Sequence, residues 1–274
     1  MSVFEAIVLG VVQGLTEFLP VSSSGHLVLA NYYFGFSGPG ESLALAVDIA
    51  TNTGTLLAVL IYLRRDVAMA LGGFFAGVAG AAGRRTDGWR LALLVLAGSV
   101  PTAIIGLLLK EVFHSLNRPL PVALALIVTG LVLWFTPRSG TKKSPHDLTF
   151  RDALITGVAQ GVAVTPGISR SGMTIATMLG RGAEGALAAR FSFLLYLVAS
   201  LGVALLGVSE VRGAQIPLAA LAAMTVASFV TGYLALAWLF RLLRMGRFRM
   251  FAPYLWVIAV LTLVSLAVGI PWHG

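Results

Sequence analysis

The chain has 274 residues, of which 58% are hydrophobic and 11% charged; its mean hydropathy is +0.91 and its formal net charge is +8. A soluble domain carries about a quarter charged residues, so the composition excludes that class and predicts an all-α integral membrane protein. There is no cysteine, which excludes disulfides, thiolate catalysis and Cys-ligated metal sites.

Residues 1–12 lack a basic start, so no cleavable signal peptide is expected. Residues 3–19 are apolar but run into Gln13-Gly14-Leu15-Thr16-Glu17 and Pro20, and residues 21–35 are apolar up to a loop at Gly35–Gly40. Each piece is too short to cross about 30 Å of hydrocarbon. Two half-length pieces meeting at a Pro/Ser/Gly break predict a re-entrant hairpin, whose irregular tip must be buried in protein or line a wet cavity. Residues 43–63 form the first full span, stopped by Arg64-Arg65-Asp66. Residues 67–83 are expected to lie on or dip into the membrane. Residues 91–109 span, 110–119 form a short polar loop, and 120–136 span back. Residues 137–151 read as a soluble connector. Residues 152–166 and 168–181 form a second broken hairpin, and 187–207, 217–240 and 251–270 complete six full spans.

The two hairpins are related in sequence. At an offset of 147 positions, Gln13 falls on Gln160, Gly14 on Gly161, Ser22 on Ser169, Ser24 on Ser171 and Gly25 on Gly172, while Ser23 falls on Arg170 and His26 on Met173. A repeat at 1–136, a connector at 137–151 and a repeat at 152–274 follow, all within one membrane domain. Fifteen of the nineteen Lys and Arg residues fall in loops 64–90, 137–151, 181–190 and 241–249. Placing these in the cytoplasm obeys the positive-inside rule. It sends the hairpins in from opposite sides, which is the inverted-topology repeat of many transporters.

Polar groups at membrane depth mark function by default. Arg170 is the one basic residue that no loop accounts for. Beside Ser169, Ser171 and Gly172 it suits a phosphate cradle at a helix start; the alternative is a structural Arg paired with a buried acid, Glu17 or Asp48. His26 reads as a general base, a nucleophile or a satisfied core histidine. Glu17 could orient His26, hold a cation or serve as acid or base, and Gln13 shares its helix face. Ser22, Ser23 and Ser24 are candidate phosphate-binding or nucleophilic hydroxyls, and at least one is expected only to cap a helix. Asp48 and Asn52, inside the first span, are expected to line the same cavity or to pack helices.

The segments Gln13-Gly-Leu-Thr-Glu17-Phe-Leu-Pro-Val-Ser-Ser-Ser-Gly-His26 and Pro166-Gly-Ile-Ser-Arg170-Ser-Gly172 strongly resemble the undecaprenyl-diphosphatase, or bacitracin-resistance, family. The resemblance covers the whole chain. It implies an enzyme of the bacterial inner (plasma) membrane, multi-pass, with its active site facing the periplasm. That enzyme hydrolyses undecaprenyl diphosphate to undecaprenyl phosphate and inorganic phosphate, and so recycles a carrier for cell-wall polymers. It implies a divalent cation, Mg2+ or Ca2+, held by Glu17 and Gln13. It also implies His26, Glu17, Ser23 and Arg170 as the catalytic set, with Ser22, Ser24, Ser169, Ser171 and Gly172 around the phosphates. Gln13 departs from the family, many members of which have Glu there, and Thr51-Asn52-Thr53 is more polar than usual. The nucleophile is either a serine activated by His26, Ser23 first, or His26 itself. The partners expected are the polyprenyl diphosphate, membrane lipids and a second copy as a homodimer, with no nucleic acid. A flippase using the same site is the alternative. The type-2 phosphatidic-acid phosphatases share only Ser24-Gly25-His26 and lack their companion motifs here.

Overall fold

The computed structural model describes residues 1–35, 41–138, 143–207 and 217–269, the side chains of 41–46 and 205–207 excepted. Most of the expected loop at Gly35–Gly40, Lys142 of the connector, Arg212 and His273 lie outside those residues. The described chain is α-helical, with three short 3-10 turns and one isolated bridge between Lys143 and Ala183. The helices are α1 (Val3–Phe18), α2 (Ser23–Phe34), α3 (Glu41–Tyr62), α4 (Arg64–Ala79), α5 (Asp87–Leu108), α6 (Lys110–Ser115), α7 (Pro119–Phe135), α8 (Phe150–Val162), α9 (Arg170–Gly180), α10 (Gly185–Gly207), α11 (Leu218–Arg244) and α12 (Phe251–Val268).

Among the described residues, four stretches are long and apolar enough to cross a bilayer: Asp87–Leu108, Gly185–Ala204, Leu218–Arg244 and Phe248–Val268. The other two expected spans are shorter apolar helices, Val47–Tyr62 and Pro119–Phe135. Two expectations need correction. The segment expected at 67–83 begins at Arg64: the first span does stop there, but α4 follows after Leu63 alone and packs along α5, where Phe74 stacks on Trp89 at 5.8 Å. The 110–119 stretch is not only loop: it holds the six-residue helix α6, which buries Phe113.

Both hairpins are built the same way. Helix α1 opens with a capping box, Ser2 and Glu5 each taking the other's backbone N–H, and α8 opens with another, Thr149 and Asp152; each satisfies donors that a helix start leaves orphaned. Helix α1 ends at Leu19, whose ψ of 147° is the extended value favoured before Pro20. The returning helices are capped by Ser22, whose Oγ accepts from Gly25 N at 3.3 Å, and by Ser169, whose Oγ accepts from Gly172 N at 3.1 Å. The 147-residue offset therefore persists as a repeated cap.

Small residues set the packing. A Cβ at Gly14 of α1 would strike the Thr231 hydroxyl and the Ser228 carbonyl of α11; a Cβ at Gly157 of α8 would strike the Gly98 carbonyl of α5. Without a hydrophobic drive between helices in lipid, such close approach is what holds them together. Each hairpin thus packs on a long helix from the opposite half of the chain, α1 on α11 and α8 on α5. Helices α7 and α12 pair with each other, Trp256 Nε1 donating to the Ile127 carbonyl at 3.3 Å.

Beyond α7 the chain is stapled. The buried Asp152 carboxylate accepts from Lys143 Nζ and Arg181 Nε, each at 2.7 Å. Arg90 donates to the carbonyls of His146 and Leu148. Hydrogen bonds from Ser144 hold the exposed Asp147 carboxyl below the usual carboxylate range.

Candidate active site

The two hairpin tips touch. Gly25 faces Gly167, where an added Cβ would come within 3.0 Å of the Gly167 Cα. Gly167 has a φ of 91°, a conformation that only glycine adopts without strain, and its carbonyl accepts from Thr129 Oγ1 at 3.0 Å. Ser171 Oγ donates to the Leu19 carbonyl at 3.1 Å, tying the second tip to the first.

Glu17, 7% exposed, lies at this junction. One carboxylate oxygen, Oε1, pairs with Arg170 Nη2. The other, Oε2, accepts from Ser23 Oγ at 2.5 Å and from Gln13 Nε2 at 3.0 Å. The buried carboxylate is thus compensated by a guanidinium from the opposite half and by two further donors, the condition under which a buried charge is tolerated. The Arg170 guanidinium lies over the Tyr196 ring at 4.3 Å, and the Tyr196 hydroxyl meets Thr55 Oγ1 at 3.0 Å. Glu17, Arg170, Ser171, Ser192, Phe193 and Tyr196 line one narrow cleft.

The site brings together Gln13, Glu17, Ser23 and Arg170, and it joins Asn52 to them: Gln13 Nε2 also reaches Asn52 Oδ1 at 3.3 Å. Asp48 sits one turn away on α3 with its carbonyl accepting from Asn52 Nδ2, and it is exposed. Of the three serines, Ser22 is the cap, Ser23 bonds to Glu17 and Ser24 is exposed within 3.4 Å of Ser22 Oγ. Ser169 and Ser171 are buried and hydrogen-bonded within the protein, Ser169 as a cap and Ser171 to Leu19; Gly172 supplies the capped N–H.

The histidine departs from one expectation. Glu17 does not orient His26. The imidazole is held by the Ser22 carbonyl at Nδ1 (2.8 Å) and by the Tyr254 hydroxyl at Nε2 (2.7 Å). Ser22 reaches this position with a φ of 70°, the one positive value at a non-glycine residue among the described residues. Strain of this kind costs on the order of 1–3 kcal/mol and persists where the surroundings over-determine it. Tyr196, Tyr254 and Thr55 were not singled out in the sequence: each is an unremarkable residue in an apolar helix, and only the fold brings them to the motif.

The family described as Bacitracin resistance protein BacA matches residues 6–261. An undecaprenyl-diphosphatase of Acaryochloris marina is 62% identical over 269 residues, covering 98% of this chain and 100% of the relative. Undecaprenyl-diphosphatases of Desulfosudis oleivorans and Desulforapulum autotrophicum are each 44% identical, covering 96% and 97% of this chain and 98% and 99% of themselves.

Proposed function

We infer the reaction from a premise those similarities supply: the chain belongs to the bacitracin resistance protein BacA family. It is a multi-pass membrane hydrolase that cleaves undecaprenyl diphosphate to undecaprenyl phosphate and inorganic phosphate, a step that serves cell-wall polymer synthesis. The named relatives are diphosphatases, which gives the flippase alternative no support.

For the mechanism we propose that Ser23 is the nucleophile and Glu17 its base. The observation that carries this is the Ser23 Oγ to Glu17 Oε2 hydrogen bond of 2.5 Å, with Arg170 on the other carboxylate oxygen. In this state the guanidinium occupies the carboxylate's other oxygen. An arriving diphosphate competes for Arg170, because a phosphate accepts the guanidinium fork bidentately. As Arg170 turns to the substrate, Glu17 is freed to take the Ser23 proton. Oγ then bonds to the terminal phosphorus, the P–O bridge breaks, and undecaprenyl phosphate leaves with the bridging oxygen. Water attacks the phosphoserine, inorganic phosphate departs, and the proton returns from Glu17 to Oγ. Most of the acceleration in phosphoryl transfer comes from position and charge neutralisation. Backbone N–H groups at the start of α2 and α9 suit the phosphate oxygens.

A divalent cation fits this site only in part. Gln13 Oε1 is buried with no hydrogen-bond partner, next to the Glu17 carboxylate, and is a natural oxygen ligand. Among the described residues, no cluster of three His, Cys, Asp or Glu is placed to hold a metal. Gln13 and Glu17 would therefore supply two oxygens, with substrate phosphates and water completing the set, as Mg2+ prefers. The cation would supply charge neutralisation at the phosphates. The distribution of Lys and Arg supports an inner-membrane orientation with the site open to the periplasm and the connector in the cytoplasm, and the 147-residue correspondence supports the two inverted repeats.

The test is phosphate release from undecaprenyl diphosphate by the purified, detergent-solubilised protein. Wild type is expected to release phosphate, and S23A and R170A to release none while still folding. Normal release by S23A would reject Ser23 as nucleophile.

A further inference from the structure

Tyr254 lies in the second turn of α12, in the half of the chain opposite His26, and its hydroxyl meets His26 Nε2 at 2.7 Å. The two rings are parallel, with centroids 5.7 Å apart and planes 6° from each other. The other ring nitrogen faces the Ser22 carbonyl at 2.8 Å, and that carbonyl also accepts the His26 backbone N–H at 3.1 Å. A carbonyl can only accept, so Nδ1 carries the proton. In the neutral ring Nε2 is then the acceptor, and the Tyr254 O–H is the donor. The strained Ser22 backbone is what aims the carbonyl at Nδ1. The imidazole is therefore gripped from both sides, in one tautomer, with its basic nitrogen occupied.

We propose that Tyr254 is a positioning residue for the reaction. It leaves the tautomer to the Ser22 carbonyl and guards the Nε2 lone pair until the lipid diphosphate or the attacking water takes the place of the phenol. Its role rests on His26 being the base that receives a proton from the attacking water, a step that the Ser23–Glu17 pair leaves open. The device resembles, in logic, any catalytic histidine whose second nitrogen is fixed by a neighbour so that the first is presented correctly. Here the fixing partner is the Ser22 carbonyl, and the phenol is the exchangeable one: Tyr254 is substantially exposed, whereas Ser22 is buried. Removing the hydroxyl while keeping the ring isolates this function from packing.

The experiment compares wild type and Y254F, both full-length and purified, by two readouts. The first is steady-state phosphate release from undecaprenyl diphosphate across pH. Y254F is expected to lose about 5- to 10-fold in kcat, the scale of one hydrogen bond, with KM little changed and an altered pH–rate profile. The second is the 15N signal of His26, assigned with H26A. Both proteins are expected to show the Nδ1–H tautomer, with the Nε2 signal of wild type shifted by the phenol's hydrogen bond and that shift lost in Y254F. Unchanged kinetics with an unchanged nitrogen signal in Y254F overturns the proposal. So does an activity loss that only follows a drop in thermal stability, with the wild-type Nε2 signal and pH profile intact. If wild type itself releases no phosphate, the hydrolase reading fails, and the nitrogen signal still decides whether Tyr254 occupies the His26 Nε2 lone pair.

Discussion

Arg170 and Glu17, 153 residues apart in the chain, form one ion pair between the two hairpin tips. The sequence offered two roles for Arg170, a phosphate ligand or the partner of a buried acid; the structure shows the second, and the proposed mechanism adds the first. In that mechanism the arginine parked on the carboxylate is drawn away by the substrate, so one charge both compensates buried Glu17 and recognises phosphate.

Glu17→Gln keeps the shape of the side chain and removes its charge. Phosphate release is expected to fall about a hundred- to a thousand-fold, within the range for loss of a general base, with the protein still folded in detergent. Arg170→Lys keeps the charge but not the planar fork or the contact over Tyr196, and a rise in KM should accompany its loss of kcat. Rates measured against substrate concentration separate the two.

Tyr196 supports Arg170 through its ring face. Tyr196→Leu is expected to raise KM about 5-fold, the scale of a partly desolvated cation–π contact near 1 kcal/mol. Tyr196→Phe keeps the ring, loses only the Thr55 hydrogen bond and should bind substrate nearly as wild type does. Equal effects of both variants would show that the hydroxyl, not the ring, matters.

Asp152 joins Lys143 and Arg181 at the start of α8, far in the fold's wiring from Ser23. Its carboxylate is 1% exposed and its partners are about a quarter to a third exposed. Asp152→Ala is expected to cost about 2 kcal/mol, below the 3–5 of a fully buried pair because water screens the cations. A lower melting temperature in detergent, with near-normal activity per folded molecule, is the expected reading.

Gly14→Val would drive a branched side chain into the Ser228 carbonyl and the Thr231 hydroxyl of α11. The expected result is loss of folded protein on size-exclusion chromatography, not a slower enzyme. Gly180→Val, at a position where an added Cβ meets nothing within 4 Å, is the control.

Chelation bears on the cation. EDTA is expected to abolish phosphate release and added Mg2+ or Ca2+ to restore it. Gln13→Glu, which supplies the second carboxylate, should lower the cation concentration needed for half-maximal rate. A rate indifferent to EDTA would remove the cation from the mechanism.

The broken hairpins, their serine caps and the meeting of Glu17 with Arg170 were legible because polar residues in an apolar chain are rare and the 147-residue offset repeats them. The sides of the site supplied by α10 and α12 were not. Tyr196 and Tyr254 belong to spans whose local pattern is simply hydrophobic, and an aromatic in such a helix carries no mark of what it will touch. The same limit applies to His26: its neighbours in sequence suggested Glu17 as orienting partner, whereas helix α2 turns the ring toward α12. The start of α4 was missed because Arg64-Arg65-Asp66 reads as the end of a span, although an acidic residue in a first turn also favours a helix start.

The reciprocal packing of α1 on α11 and of α8 on α5 has a consequence for synthesis. Glu17 enters the membrane long before its guanidinium partner is made. At about 5–20 residues per second, the ribosome needs roughly 8–30 s to add the 153 residues that separate them, and longer to deliver α11. The nascent amino-terminal hairpin must spend that interval without its counter-ion and without the helix that shields its glycine face, which makes the newly inserted first half the natural client for a membrane chaperone.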